Sequence, residues 1–551
     1  MPSFKNRFAR FFLTLLVAGA FAFSQASALW AASPPRLPDF LRKDAVRAPE
    51  RILEALDLWE PEAARAELAA IPADKISPSD AIYLEARIEF LEGNYARARE
   101  LMEELSRKGL AEDAGIGHFL EFVNRTFDET KSFVSRESQH FRIYFPKGIE
   151  EIIVEPALDT LEGQYKALSK ILGIEIPGKI RVEVAPTGRA FIALSDIPKE
   201  AVETTNTIAL CKYNRLIITS PRALPRGYVW RDTLAHELTH YFVYKRSRNG
   251  TPVWLHEGIA KYFETAWRTD NHGELNPSEE TLLYEALQGN KIIPFERMHP
   301  SFAFLKSPEE GSQAFAQVST VIEYLHRHLD GGNYTLLNKI EDELANGAEY
   351  EEAITAARGK PFKEFYDGWV SWLRQRPLRV LRNKHIEQVK FVESPEAAEK
   401  AEEETIDSEK AKKHLRVGDL LRDRGRMLAS AEEYEKAHEA AGLNPIILNK
   451  LAFSYLRSER FEAAKKYIDL CVENFPEYGS IYKRMGEFYS AKKDWPKAAE
   501  GFERALDVNP FDAEIHEMLV AVYGGLGDGT SAKKHEKVLE ILSGRPGSPV
   551  P

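Results

Sequence analysis

The spacing of apolar positions changes along the chain, and each change marks a unit. From about Val46 to Phe127 these positions recur at helical steps. Within that stretch "AIYLEARIEFLEGNYARARELMEEL" predicts a helix, a Gly93-Asn94 turn and a second helix carrying Ala96 and Ala98, which together make a helical hairpin. From Gln139 the alternation shortens. "HFRIYFP", "KIRVEVAP", "NTIALCK" and "RLIITSP" are β-branched runs bounded by Pro, Gly or Asn, and they predict strands. Between the first two, "PALDTLEGQYKALSKILGI" predicts an amphipathic helix, so the sheet is mixed. From Tyr228 to about Leu373 the period is helical again.

A charged stretch from about Arg376 to Lys410, including "EAAEKAEEETIDSEKAKK", reads as a linker or a long solvated helix. Beyond it a repeat emerges. Gly418, Ala452, Gly486 and Val520 stand 34 residues apart; so do Leu421, Tyr455, Tyr489 and Tyr523, and likewise Ala437, Cys471, Ala505 and Leu539. This step is the tetratricopeptide period, with small residues where paired helices touch and aromatic rings in the next gap. The N-terminal hairpin has the look of one such unit. The pattern therefore predicts an α+β, mostly helical chain. Its parts are N-terminal helical hairpins over 46–127, a domain with a small mixed sheet and a helical lobe over 139–375, a linker over 376–410, and repeats over 411–542. The last repeat, with Gly524-Gly525, reads as a cap, and such stacks offer a concave groove to a protein partner.

Composition fits a globular chain of several domains: 551 residues, 44% hydrophobic and 29% charged. A net charge of −11, with Lys and Arg dispersed among acids, argues against a nucleic-acid partner. The first residues stand apart. Lys5, Arg7 and Arg10 make a positive start, Phe11 to Phe23 an apolar core and Ala26-Ser27-Ala28 a small-x-small cleavage site. They predict a signal peptide over 1–28 and an exported body, periplasmic or extracellular, tethered to the membrane if the signal is not cleaved. No later run reaches the roughly 20 apolar residues of a span. Cys211 and Cys471 are too few and too distant for a disulfide framework and read as buried small hydrophobes.

Candidate chemistry concentrates in "HELTH", His236 to His240. Two His four apart lie one turn above another on a helix face, the spacing of a zinc pair, and Glu237 points to a neighbouring face where it can act as general base. The helix, in the apolar context "YVWRDTLAHELTHYFVY", ends at "KRSRNG". The next helix is predicted to start with Thr251 as N-cap and Pro252 at its first position. Glu257 falls in its second turn, 17 residues after His240, and Gly258 would let the two backbones approach closely. A helix, a turn and a returning helix can bring that carboxylate to the imidazoles as third ligand. His256 is adjacent, and only one of the two can face a metal.

"HELTH" followed by "WLHEGIAKYFE" resembles the gluzincin zinc peptidases, in particular the peptidase MA-like branch, over roughly His140 to Leu373. The resemblance implies Zn2+ held by His236, His240 and Glu257, with Glu237 as base and acid. It further implies that "NTIALCK" or "RLIITSP" is the strand along which an extended peptide or protein substrate lies. The Gly-Ala-Met-Glu-Asn amine-binding motif is absent, so the expected hydrolysis is of endopeptidase type. Where related sequences read Ala-Tyr-x-Gln this one has Ala314-Phe315-Ala316-Gln317, which lacks the hydroxyl of a transition-state donor. His299 is the alternative donor, or a loop cap before Pro300. Asp232 either orients His236 or supplies an N-terminal helix charge; Glu264 either supports a ligand or is an exposed acid. The rival to an enzyme is a catalytically weak or inactive zinc-containing scaffold built on the repeats. His326, His328, His385, His414, His438, His516 and His535 are expected on polar helix faces with no role.

Overall fold

The computed structural model describes residues 48–199, 202, 207–224, 226–298, 302, 305–383, 406 and 408–544. The predicted signal peptide, His299, His385 and most of the predicted linker lie outside them. The chain is α+β and mostly helical.

Among the described residues five α-helices come first: α1 (Ala48–Asp57), α2 (Pro61–Ala69), α3 (Pro78–Leu91), α4 (Tyr95–Arg107) and α5 (Ala114–Thr130). The sheet has strands β1 (Phe133–Glu137), β2 (Phe141–Pro146), β3 (Ile180–Ala185), β4 (Ala209–Lys212) and β5 (Arg215–Thr219) in the order β1-β2-β3-β5-β4. The β2, β3 and β5 pairings are parallel, while β1 and β4 join antiparallel at the two edges. The sequence pattern does not predict β1: four of its five side chains are exposed, so "FVSRE" carries no buried alternation to find. The helix after β2, α6 (Glu151–Leu172), begins before Pro156, the boundary that the sequence pattern predicts.

Glu183 on β3 is completely buried, where an unpaired carboxylate would be costly. Its oxygens meet Arg181 at 2.6 Å, Arg215 at 3.2 Å and the Tyr95 hydroxyl of α4 at 2.5 Å. Burial would raise its pKa, but the two guanidinium groups outweigh it and hold the carboxyl below its ordinary value. The charge cluster thus ties the N-terminal helices to the sheet.

After α7 (Gly188–Ser195) and the strands, the helical lobe follows: α8 (Trp230–Ser247), α9 (Val253–Phe263), α10 (Pro277–Gln288), α11 (Pro308–Glu323), α12 (Thr335–Ala345), α13 (Tyr350–Arg358) and α14 (Phe362–Gln375). Residues 409–542 form four helix pairs: α15 (Glu409–Asp423) with α16 (Met427–Ala441), α17 (Pro445–Arg457) with α18 (Phe461–Asn474), α19 (Ser480–Ala491) with α20 (Trp495–Leu506), and α21 (Ala513–Leu526) with α22 (Gly529–Leu542). The small residues of the repeat do what the period predicts: a Cβ at Gly418 or Gly486 would strike the ring of Tyr434 or Phe502 on the paired helix.

The stack does not stand apart. Val508, after α20, accepts from the Tyr228 backbone N–H at 3.0 Å, Asp507 pairs with Arg231 at 3.3 Å, and Phe511 packs on the core of the sheet and lobe. Gly227 makes this approach possible. Its φ is +71°, and a Cβ there would lie 2.0 Å from the Val508 carbonyl oxygen.

Two local expectations at α9 are corrected. Helix α9 starts at Val253 with Pro252 in the capping position, and the Thr251 hydroxyl instead donates to Glu341 on α12 at 2.7 Å. Gly258 does admit a close backbone, but that of α11: a Cβ would lie 2.9 Å from the Val318 carbonyl oxygen. The histidines also differ from expectation, since His326, His516 and His535 are buried. His326 meets the Tyr262 hydroxyl at 2.9 Å, and the other two meet each other at 2.8 Å.

Glu341 gives a pH prediction. Burial pushes its carboxyl up from 4.5 to about 8, although Thr251 and Arg246 oppose the shift. Between those values the folded chain keeps a proton that the unfolded chain releases, so stability falls as pH rises through the window. The steepest slope from this one group is about 1.4 kcal/mol per pH unit. Denaturant unfolding at pH 5 to 8 should show this decline in the wild type and a flatter one in Glu341→Gln; equal slopes would contradict the assignment.

Candidate metal centre

Helix α8 buries Leu234, Leu238 and Phe242 in the core, which leaves His236, Glu237 and His240 along its adjoining face. It stops where Arg248 and Asn249 take left-handed φ values of 50° and 58°. The chain turns back, and α9 returns with Glu257 buried.

These side chains converge. Glu257 Oε2 lies 3.5 Å from His236 Nε2 and 3.4 Å from His240 Nε2, and one donor atom from each residue falls within 4.8 Å of the others. A tetrahedral ion with ligands at about 2.0–2.1 Å holds its donor atoms roughly 3.4 Å apart, so two imidazoles and a carboxylate at this spacing fit zinc. Electrostatics agree. Burial alone would depress His236, but Glu257 and Glu264 outweigh it and push it up to about 10. Glu257, which burial would raise, is held well below the usual carboxylate range by His240 and His236. The site thus concentrates negative charge that a cation or imidazolium must balance.

Of the adjacent pair, Glu257 faces the centre. His256 turns to the far side of His240, with the two Nδ1 atoms 2.6 Å apart. Burial and the neighbouring His240 push His256 down to about 3, so it is neutral and can accept from His240 Nδ1–H, leaving His240 Nε2 for the centre. Glu264 supports the other imidazole: Oε2 lies 3.3 Å from His236 Nδ1, while Lys261 holds Oε1 at 2.7 Å. Asp232 is not placed at His236. Its carboxylate accepts from Trp267 at 2.9 Å and pairs with Arg268.

Glu237 lies beside β4. Burial raises its pKa against the opposing pull of His240 and His236, and the Cys211 backbone N–H donates to its carboxylate. The register explains that donor. Tyr213 and Asn214 have φ of 57° and 61°, a two-residue hairpin turn, and Thr219 N–H bonds to the Ile208 carbonyl at 2.9 Å. Alternation then turns Leu210 and Lys212 toward β5 and leaves the main-chain groups of Ala209 and Cys211 on the free edge. Of the two strands proposed for substrate, β4 is the edge strand among the described residues, whereas β5 is enclosed between β3 and β4. Cys471 is buried as expected, but Cys211 is partly exposed beside Glu237.

At the sequence "AFAQ", Phe315 packs on Phe302 at 4.9 Å between ring centroids, and Gln317 pins Ile293 through two hydrogen bonds of 3.0 and 2.7 Å. The buried Tyr228 hydroxyl donates to the Thr219 carbonyl. The His256 contact and the Cys211 donor escaped sequence reasoning. Only the position of "NTIALCK" at a sheet edge would have signalled the second.

Comparison with known proteins gives three findings. The Peptidase MA superfamily model matches residues 200–375. Glutamyl aminopeptidase of Sus scrofa is 24% identical over 218 residues, 37% of this chain and 23% of that protein; the human enzyme is 24% identical over 220 residues with the same coverage. The match therefore spans less than a quarter of these relatives. Among solved structures, a thermophilic TPR protein of Thermus thermophilus aligns at TM-score 0.23 and 25% identity, over 24% of this chain and 75% of that one. Native leukotriene A4 hydrolase of Saccharomyces cerevisiae aligns at TM-score 0.28 and 14% identity, over 75% and 67%.

Proposed function

We propose that the chain is an exported zinc-dependent peptide hydrolase whose repeats hold a protein partner or substrate in their groove. The observation that carries the reading is the convergence of His236, His240 and Glu257 beside a buried Glu237 and the edge strand β4. The peptidase-superfamily match over 200–375 supports the class, and the sequence start supports export.

A zinc ion held by the three side chains would polarise the scissile carbonyl and acidify water. The remaining work falls to the chain. The Ala209 main-chain groups and the Cys211 carbonyl would align an extended peptide along β4, the Cys211 N–H being held by Glu237. Glu237 would take a proton from the attacking water as the oxygen bonds to the carbonyl carbon, then pass it to the amide nitrogen as the C–N bond breaks. His256 and Glu264 would fix the two imidazoles through their far nitrogens.

Metal analysis of the purified protein beside a peptide-library digest tests this. About one zinc per chain and metal-dependent cleavage are expected. Zinc without cleavage would favour the scaffold reading, in which the missing hydroxyl at Phe315 leaves the centre inactive.

A further inference from the structure

The last helix pair of the repeat stack holds two buried histidines that no step at the metal centre uses. His516 on α21 and His535 on α22 are 3% and 4% exposed, with their rings 5.1 Å apart between centroids. Tyr523 of α21 stacks on the His535 ring at 5.6 Å and 7°, and its hydroxyl donates to Glu503 of α20 at 2.9 Å. Further charges act from Asp512, which caps α21 and pairs with Lys483 at 2.9 Å, and from Lys534, which acts on Glu503.

Hydrogen bonding fixes where the protons sit. His516 Nε2 lies 2.9 Å from the Pro510 carbonyl, which can only accept, so this nitrogen carries a hydrogen. The two Nδ1 atoms are 2.8 Å apart, and of two ring nitrogens in contact one donates and the other accepts. His535 Nε2 faces the Glu503 carboxylate at 3.3 Å, which calls for a hydrogen there too. Three hydrogens therefore serve four nitrogens, and the pair shares one positive charge opposite Glu503.

A fourth hydrogen has no place. It would set N–H against N–H across 2.8 Å and put two cations side by side in a site almost closed to water. Burial pushes His516 down from its ordinary 6.5, against the Pro510 bond and with the help of His535. Burial would raise Glu503, but His535 and Tyr523 outweigh it and hold that carboxyl below its ordinary value, so the histidine takes the next proton.

We propose that this pair is a proton latch: acid breaks the bond between the two Nδ1 atoms and releases α22 from the stack. The seam to the metal domain stays. His516 Nε2–H holds the Pro510 carbonyl in either charge state, Phe511 remains in the core of the sheet and lobe, and Val508 keeps the Tyr228 N–H. Helix α22 is bound through His535 instead, to α21 by the shared proton and to α20 by Glu503. Between the depressed pKa of His516 and 6.5 the closed pair binds fewer protons than the open one, so the latch weakens as pH falls through that window. Release uncovers the His516 and Tyr523 rings and changes the end of the stack offered to a partner. It needs no cleavage at the metal centre, and so goes beyond the hydrolase reading.

Hydrogen exchange read by mass spectrometry on the full chain, with times corrected for the intrinsic effect of pH, tests the latch. Between pH 7 and pH 5 the protection of α22 should fall at least about tenfold, while α8 and the 507–511 seam keep theirs within about twofold. In His516→Asn the side-chain oxygen can accept the His535 N–H but takes no proton, so α22 should stay protected at both pH values. Wild-type protection of α22 that ignores acid, or that is lost together with α8, would overturn the latch. So would an acid response of wild-type size in a His516→Asn chain that is protected at pH 7. A second readout needs no variant: with nitrogen-15-labelled histidine, a coupling across the bond between the Nδ1 atoms should be present at pH 7 and vanish over the range in which α22 opens. Its absence at pH 7, or its survival after opening, would equally count against the proposal.

Discussion

Glu257→Ala should leave the chain with no tight zinc site, while His256→Ala should keep one. Neighbouring residues on a helix point about 100° apart, so the two side chains cannot share a task. Glu257 meets both Nε2 atoms of the histidine pair, and removing it leaves two imidazoles with no anionic partner at the centre. His256 meets only the outer nitrogen of His240, where it fixes ring orientation. Loss of such a support weakens metal affinity by about 10–100-fold, and the glutamate variant should lose far more. Competitive zinc titration of the two variants reads the difference. Retention in Glu257→Ala with loss in His256→Ala would transfer the ligand role to the histidine.

Glu237→Gln should bind zinc at the wild-type stoichiometry and lose hydrolysis by about 10²–10⁴-fold. The amide keeps the shape of the carboxyl and its contact with β4, but it cannot take a proton. The raised pKa of Glu237 moves it toward the working pH of a base that must also act as acid. Zinc content and turnover of one cleaved peptide, measured on both proteins, check the expectation; equal turnover would remove Glu237 from the mechanism.

The sequence made the helical centre legible because its signals are local. Two His four apart must share a helix face, and a 34-residue step must stack helix pairs. What stayed hidden depends on residues far apart in the chain. Asp232 and Glu264 are both acids near "HELTH" in space, yet only Glu264 reaches an imidazole, because Trp267 and Arg268 claim Asp232. The short Thr251 turn gives no hint that its hydroxyl is taken by Glu341, 90 residues away. Trp59 against Tyr244 is the same kind of contact, joining a turn that reads only as a helix boundary to the end of the candidate metal helix. The exposed β1 carries too little pattern to be seen at all.

The seam at Gly227 and Val508 fixes more than a contact. Tyr228 and Arg231, which bind the repeats, stand at the entrance of the helix that carries His236 and Glu237, so the stack has no free swing of its own. A protein gripped in its groove would be delivered along one constant vector, and its local concentration at the centre would depend on a length. Substrates would then be sorted by the number of residues between the segment held and the bond cut, as on a ruler, and two chains with identical cleavage sequences could differ in rate through that spacing alone.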